Sequence, residues 1–287
     1  MGRMRYLLAI EFNLITRTNL NLSNQVKSIF CFLISVGLLM SQMATAQRAM
    51  FGSNNNYVAP VVTVPSLIIT NGLVFHVDAA NSSSYAGSGN VWSTLVGSNH
   101  INFFTSASYS TSGNPAYSTD GGGSLVTTGL YGRSIANSGI TGSAARSFEA
   151  WVKFTNTSAN AIMTIGSASN DQLFEMMSYQ NYLINHPYGG FTQGSTVLST
   201  NTWYQVVISY DGTTNHAVFV NGVQVGTSSG AASRTLNTSN TPIYIGTSSL
   251  GWGDFKGRIA MLRIYNRALS SSDVAFNFNA LKSRFGL

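Results

Sequence analysis

Among the nine acidic residues of this chain, the nearest approach to a catalytic carboxylate pair is Asp171 and Glu175 in the stretch DQLFE. Alternation along a strand puts positions i, i+2 and i+4 on one face, so the two share a face with Leu173 between them. Two carboxyl groups cleave a glycosidic bond when they stand about 5 Å apart, in retaining chemistry, or up to about 9.5 Å apart, in inverting chemistry. At about 3.3 Å per residue this pair is about 13 Å apart, and the position that would close the gap is a leucine. Hydrolysis by paired carboxylates is therefore not expected. The stretch NYLINHPYGG brings His186 near Tyr182 and Tyr188, groups able to exchange protons, although Asn185, Pro187, Gly189 and Gly190 also read as a turn between two strands. His76, His100 and His216 each stand alone in strand-like runs and read as half-buried strand residues. DGGGS, starting at Asp120, is a glycine run leading into a strand and reads as a turn. There is no serine nucleophile elbow, no phosphate-cradling loop and no Cys/His cluster in the sequence. The expectation is a chain that is not an enzyme.

Binding chemistry is better supplied. Trp252, in SLGWGDF, lies between two glycines and next to Asp254. There it either stacks a sugar ring or folds back over the edge of the fold. Trp151, in SFEAWVKF, alternates with Glu149 and Lys153 opposite Phe148, Ala150, Val152 and Phe154, which places it on the open face of a sheet. Together with Tyr188, His186 and Asn185, these two tryptophans are the candidate ligand contacts.

The elements that must position these residues are short strands. From Asn71 onward, strand-like runs recur, each bounded by Gly, Asn, Asp or Ser: near residues 72–77, 100–104, 124–128, 147–154, 161–166, 172–178, 192–198, 203–210, 216–220, 223–227, 243–246 and 257–265. A dozen such runs without intervening helices point to a sandwich. In AVFVNGVQVG, Asn221-Gly222 supplies the two positive φ values that a type I′ hairpin turn requires. WYQVVISYDG alternates Tyr204, Val206, Ile208 and Tyr210, a core face, against Trp203, Gln205, Val207 and Ser209. In GRIAMLRIYNRALSSSDV, a strand apolar on both faces runs into Ser270 and Asp273, spaced as a capping box. Val274, Phe278, Leu281 and Phe285 then recur at helical spacing.

Composition agrees with an exported all-β protein. Of 287 residues only 8% are charged, against roughly 25% in ordinary globular domains, so solubility rests on Ser, Thr and Asn. Lys27, the apolar run from Ile29 to Met40, and Ala44-Thr45-Ala46 form the charge, apolar stretch and cleavage site of a secretory signal. A run of about 12 residues is short of the roughly 20 that span a bilayer. Four of the 15 basic and one of the 9 acidic residues precede Gln47, which leaves 11 and 8, a formal charge of +3 without a basic stripe for nucleic acid. The one cysteine, Cys31, lies within the signal, so the mature chain relies on its core rather than on disulfides.

The ordered motifs SFEAWVKF, WYQVVISYDG, HAVFVNGVQVG, PIYIG and FKGRIAMLRIYNRALSSSDV resemble the laminin G-like, concanavalin A-like lectin/glucanase jelly-roll family, in its bacterial and phage-associated branch. The resemblance covers roughly residues 71–287. It implies two antiparallel sheets with recognition at the concave face or its rim, and a fold that hosts lectins, adhesion modules, glycosidases and lyases alike. It also implies a calcium ion at the rim, for which the loop residues Asp171, Asn170 and Asp254 are candidates, each of which also reads as a turn-capping residue. Lyases on this fold pair Tyr and His with Arg or Gln; His186, Tyr182 and Tyr188 are the nearest match, without the strand motifs that such lyases carry.

The expectations are then an all-β jelly-roll sandwich with a short C-terminal helix, divided into a signal at residues 1–46, an arm or linker at 47–70 and the jelly-roll domain at 71–287. The expected role is a secreted, non-catalytic module for glycans or another surface component. Two alternatives stand beside it: a structural or adhesion subunit that self-assembles by adding its Asn-rich arm to a neighbour's sheet, and a polysaccharide lyase or hydrolase.

Overall fold

The computed structural model describes residues 68–247 and 254–287. The signal, residues 47–67 of the arm, and Trp252 lie outside the described residues. In chain order the strands are β1 (Leu73–Asp78), β2 (Val91–Trp92), β3 (Ile101–Phe104), β4 (Ala116–Ser118), β5 (Ser124–Val126), β6 (Tyr131–Asn137), β7 (Arg146–Phe154), β8 (Ala159–Gly166), β9 (Leu173–Tyr179), β10 (Tyr182–His186), β11 (Thr192–Val197), β12 (Trp203–Tyr210), β13 (His216–Val220), β14 (Val223–Thr227), β15 (Pro242–Ile245) and β16 (Gly257–Tyr265). One α-helix, α1 (Ser271–Leu281), follows them. None of the described helices is long and apolar enough to cross a membrane.

The strands form two antiparallel sheets. Sheet A runs β14-β13-β12-β7-β16-β5-β4, with β1 pairing the second half of the β16 edge whose first half β5 occupies. Sheet B runs β11-β10-β9-β8-β15-β6-β3-β2. Between them lies the main core, which takes Phe148, Ala150, Val152 and Phe154 from β7 and Tyr204, Val206, Ile208 and Tyr210 from β12, the sets that alternation assigns inward. The β13–β14 hairpin turns on Asn221 (φ 50°) and Gly222 (φ 80°), both in the left-handed region, as a type I′ turn demands.

A third layer covers the outside of sheet A. Ser270 caps α1: its hydroxyl accepts from the Asp273 backbone N–H while the Asp273 carboxylate accepts from the Ser270 N–H, a complete capping box. The helix and the turn at Lys282–Phe285 seal Trp203, Ala260, Met261, Leu281 and Phe285 into a second apolar cluster. Trp151 belongs to this cluster, and its placement on an open face is corrected. Its ring is fully buried, stacked on Phe285 at 4.0 Å and on Phe278 at 5.9 Å between centroids. The side of the sheet is the one anticipated; the helix closes it.

Beneath α1 also lies a buried polar cluster. Glu149 accepts from Gln205 Nε2 (2.8 Å) and Arg263 Nη1 (3.1 Å) on one oxygen, and from Asn277 Nδ2 (2.8 Å) and the Tyr265 hydroxyl (3.4 Å) on the other. Asn277 in turn accepts from the Ile69 N–H at 2.8 Å, which ties the start of the domain to the helix. Burial, with Glu149 beside it, pushes the Tyr265 phenol up, so it remains a neutral donor.

Two departures from the expected elements have local causes. A bulge between Ile259 and Met261 resets the alternation of β16. Ile259, Leu262 and Ile264 therefore face the main core, while Ala260 and Met261 face the helix. β10, a strand not expected, takes in Asn185 from the expected turn, while the chain reverses as read at Pro187 to Gly190.

Candidate ligand-binding face

The outer face of sheet B carries a line of chemically able side chains drawn from six strands. Register sets His186 opposite Glu175, Glu175 opposite Thr164, Thr164 opposite Tyr244, Tyr244 opposite Arg133, and Arg133 opposite Asn102. Directly opposed residues of antiparallel strands point the same way. Their chain neighbours Phe174, Ile165, Ile245 and Phe103 fill the core, so the line points outward. At about 4.8 Å per strand it extends about 24 Å.

One end of the line is aromatic and open. After β3 the chain folds back, with the Thr105 N–H donating to the Thr111 carbonyl at 2.9 Å, and delivers Tyr109 onto the sheet. Tyr109 has φ 55°, a conformation an aromatic residue seldom adopts and one held here by its contacts. Its ring lies 5.5 Å from Phe104 and 5.8 Å from Tyr244, and the Arg133 guanidinium sits 4.8 Å above it. Arg133 is exposed and has no carboxylate partner among the described residues. Burial pushes the Tyr109 phenol up, with Tyr244 adding to the shift and Arg133 opposing it. On the same strand face, the Tyr131 hydroxyl donates to Asp254 at 3.0 Å.

The other end is polar and closed. Glu175 is fully buried; it accepts from the Thr164 hydroxyl at 3.0 Å and pairs with His186 Nδ1 at 2.9 Å. Both oxygens of that carboxylate are thus engaged, which fixes the imidazole plane at the edge of the face. Tyr188 (φ 60°) stands 6.2 Å from the His186 ring.

The residues anticipated as a site are only partly brought together. His186 and Tyr188 are neighbours at the closed end. Asn185 is not a surface contact: it points inward, wholly buried, with its amide donating to the Ser209 carbonyl at 3.4 Å and lying 3.3 Å from His216 Nδ1. Asp171 precedes β9 instead of sharing a strand face with Glu175, and its two oxygens are held by Arg234, through Nε and through Nη2 at 3.0 Å. That guanidinium places a positive charge where a cation would sit, so Asp171 with Asn170 does not fit a calcium ion in this arrangement. Asp254 is held by Tyr131 instead, and no group of three or more His, Cys, Asp or Glu suited to a metal occurs among the described residues. Arg133, Tyr109 and Tyr244 were not expected at a site. The one local hint is the aromatic density of FFTSASY and PIYIG.

Comparison with known proteins gives a consistent picture of the fold. A family model described as the concanavalin A-like lectin/glucanases superfamily matches residues 120–275. Domain 4 of AbnA, an extracellular arabinanase from Geobacillus stearothermophilus solved in complex with arabinotriose, superposes with a TM-score of 0.56 at 19% identity, over 73% of this chain and 98% of that one. The binding domain of Paraclostridial Mosquitocidal Protein 1 gives 0.50 at 14% identity, over 73% of this chain and 52% of that one. A Trypanosoma rangeli sialidase gives 0.50 at 15% identity, over 75% of this chain but only 33% of its own length. No curated protein matches the chain.

Proposed function

Because this chain belongs to the concanavalin A-like lectin/glucanases superfamily, we propose that it is a secreted carbohydrate-recognition module that holds its glycan along the outer face of sheet B. The observation that carries the proposal is the open end of the line, Tyr244, Arg133 and Asn102, with Tyr109 and Phe104 gathered around Arg133. Sugar rings present apolar C–H faces that stack on aromatic rings, and hydroxyls that a guanidinium, a phenol and an amide satisfy from fixed positions. Preorganisation by the sheet keeps the ordering cost of binding low. The arabinotriose in the Geobacillus domain supports a glycan as the ligand class. The signal-like segment before Gln47 supports export.

A glycan array probed with the purified chain tests the proposal, with Tyr109→Ala, Arg133→Ala and Trp252→Ala alongside and with calcium or a chelator in the buffer. Selective spots that fade in the first two variants and survive chelation are expected. A blank array, or spots indifferent to both variants, contradicts it.

A second reading uses the closed end. His186 and Tyr188, with ring centroids 6.2 Å apart, are residue types that exchange a proton beside a uronate carboxylate, which makes elimination on an acidic polysaccharide the catalytic alternative. Unsaturated products whose formation is abolished in Tyr188→Phe would establish it. Their absence over a panel of uronate polymers would retire it.

A further inference from the structure

The glycine run after Asp120 builds something on the opposite side of the sandwich. Asp120 opens a short 3-10 turn, Asp120–Gly122, that lies against the outer face of sheet A. A β-carbon on Gly121 would stand 2.7 Å from the Trp203 ring, so the loop comes as close as it does because it is glycine. Asp120 is brought over a row set by register, in which Trp203 is opposite Lys153 and Lys153 opposite Arg258. All three donate to it: Trp203 Nε1 at 2.9 Å to one oxygen, Lys153 Nζ at 3.0 Å and Arg258 Nη1 to the other. Burial works against ionisation of Asp120, yet these bonds hold its carboxyl below the usual carboxylate range.

Two cations thus converge on a single carboxylate oxygen, which leaves one positive charge uncompensated. Beside them opens a cleft of about 190 Å³ lined by Val126, Thr128, Lys153, Thr155, Asn201, Gly257 and Arg258. Its lining holds two cations, hydroxyls and an amide, and no acid. The side chains of Lys153 and Arg258 are 22% and 38% exposed, so their remaining N–H groups are within reach of a solute. Lys153 has three donors and Arg258 five, of which Asp120 takes one from each.

We propose that this cleft is an oxyanion site, in which Lys153 and Arg258 together bind a carboxylate, sulfate or phosphate group while Asp120 holds the two cations side by side and in register. The shared chemistry is a delocalised anion with two or three oxygens, matched by a guanidinium fork and an ammonium. The site is independent of the sheet B face and stands or falls on its own.

The Trp203 indole N–H, bonded to Asp120, is a built-in reporter. In 1H–15N spectra of the full chain, with the indole peak assigned through Trp203→Phe, sodium sulfate, sodium phosphate and sodium glucuronate are titrated against sodium chloride at matched ionic strength. Saturable movement of that peak and of the Thr155 and Arg258 amides is expected with at least one oxyanion and not with chloride. Arg258→Gln and Lys153→Gln should each weaken the response by about tenfold or more. A tighter response to glucuronate than to the inorganic ions would assign the site to a glycan-borne acid. The reverse order would assign it to a free oxyanion. Movement common to all salts, or saturation undiminished in both variants, would overturn the proposal.

Discussion

Glu149 gives the sharpest test of what holds the third layer in place. It and Arg263 are each about 1% exposed, and Glu149 is the one carboxylate that pairs with this guanidinium among the described residues. In Glu149→Leu the Arg263 charge stays buried without a counter-charge, which costs roughly 3–5 kcal/mol. Gln205 and Asn277 lose an acceptor as well, a cost of the order of 1–3 kcal/mol if no water replaces it. A loss of at least about 4 kcal/mol is expected; with a urea slope near 2 kcal/mol/M it moves the unfolding midpoint by about 2 M. In the double variant Glu149→Leu/Arg263→Met both charges are gone, and replacing a buried ion pair by apolar groups is often neutral or stabilising. The double variant should recover to within about 2 kcal/mol of the parent, a coupling of about 2 kcal/mol or more. Urea unfolding followed by tryptophan fluorescence on the four proteins measures the whole cycle. A midpoint shift under about 0.5 M for Glu149→Leu, or a double variant as unstable as the two singles summed, would refute the assignment of a buried, energetically coupled pair.

Three further outcomes follow from the same geometry. Burial, then Arg263 and Arg284, push His76 down to about 3, whereas its unfolded value is about 6.5. The unfolded chain therefore takes the proton first: stability is full above about pH 6.5, declines toward pH 3 by roughly 5 kcal/mol at most, and declines less in His76→Gln, as urea midpoints at pH 7, 5 and 4 will show. Trp151→Ala removes the ring stacked on Phe285 and Phe278 and should cost about 3–5 kcal/mol, with α1 becoming the first site of limited proteolysis. Ser270→Ala deletes half of the capping box and should cost about 1 kcal/mol, read by thermal unfolding, with Ser270→Thr restoring most of it.

What could be read from the sequence was whatever is written locally. Asn221-Gly222, the alternation of β12 and the Ser270–Asp273 spacing each encode their structure within a few residues, and each forms as read. The bulge at Ala260 could not be read, because both faces of β16 are apolar and either register looks alike. β6 escaped for the opposite reason: its inward residues are Gly132 and Ser134, while Ile135 faces solvent, so hydrophobic alternation is inverted. Trp151 was put on the right side of its strand, but only the fold brings Phe278 and Phe285 over it. The candidate face is the least local feature of all. Asn102, Arg133, Thr164, Glu175, His186 and Tyr244 are spread over about half the chain and meet only through strand register. Arg234, 63 positions from Asp171, likewise engages both oxygens of this acid, a pairing that no local pattern announces.

The central claim is that ligand lies on the outer face of sheet B, and mapping amide shifts on titration with a glycan identified by the array tests it most directly. Perturbations should concentrate at Asn102, Tyr109, Arg133 and Tyr244, weaken toward His186, and vanish in Arg133→Ala. Shifts that instead gather on β12, β13 and α1, on the far side of the sandwich, would contradict the account.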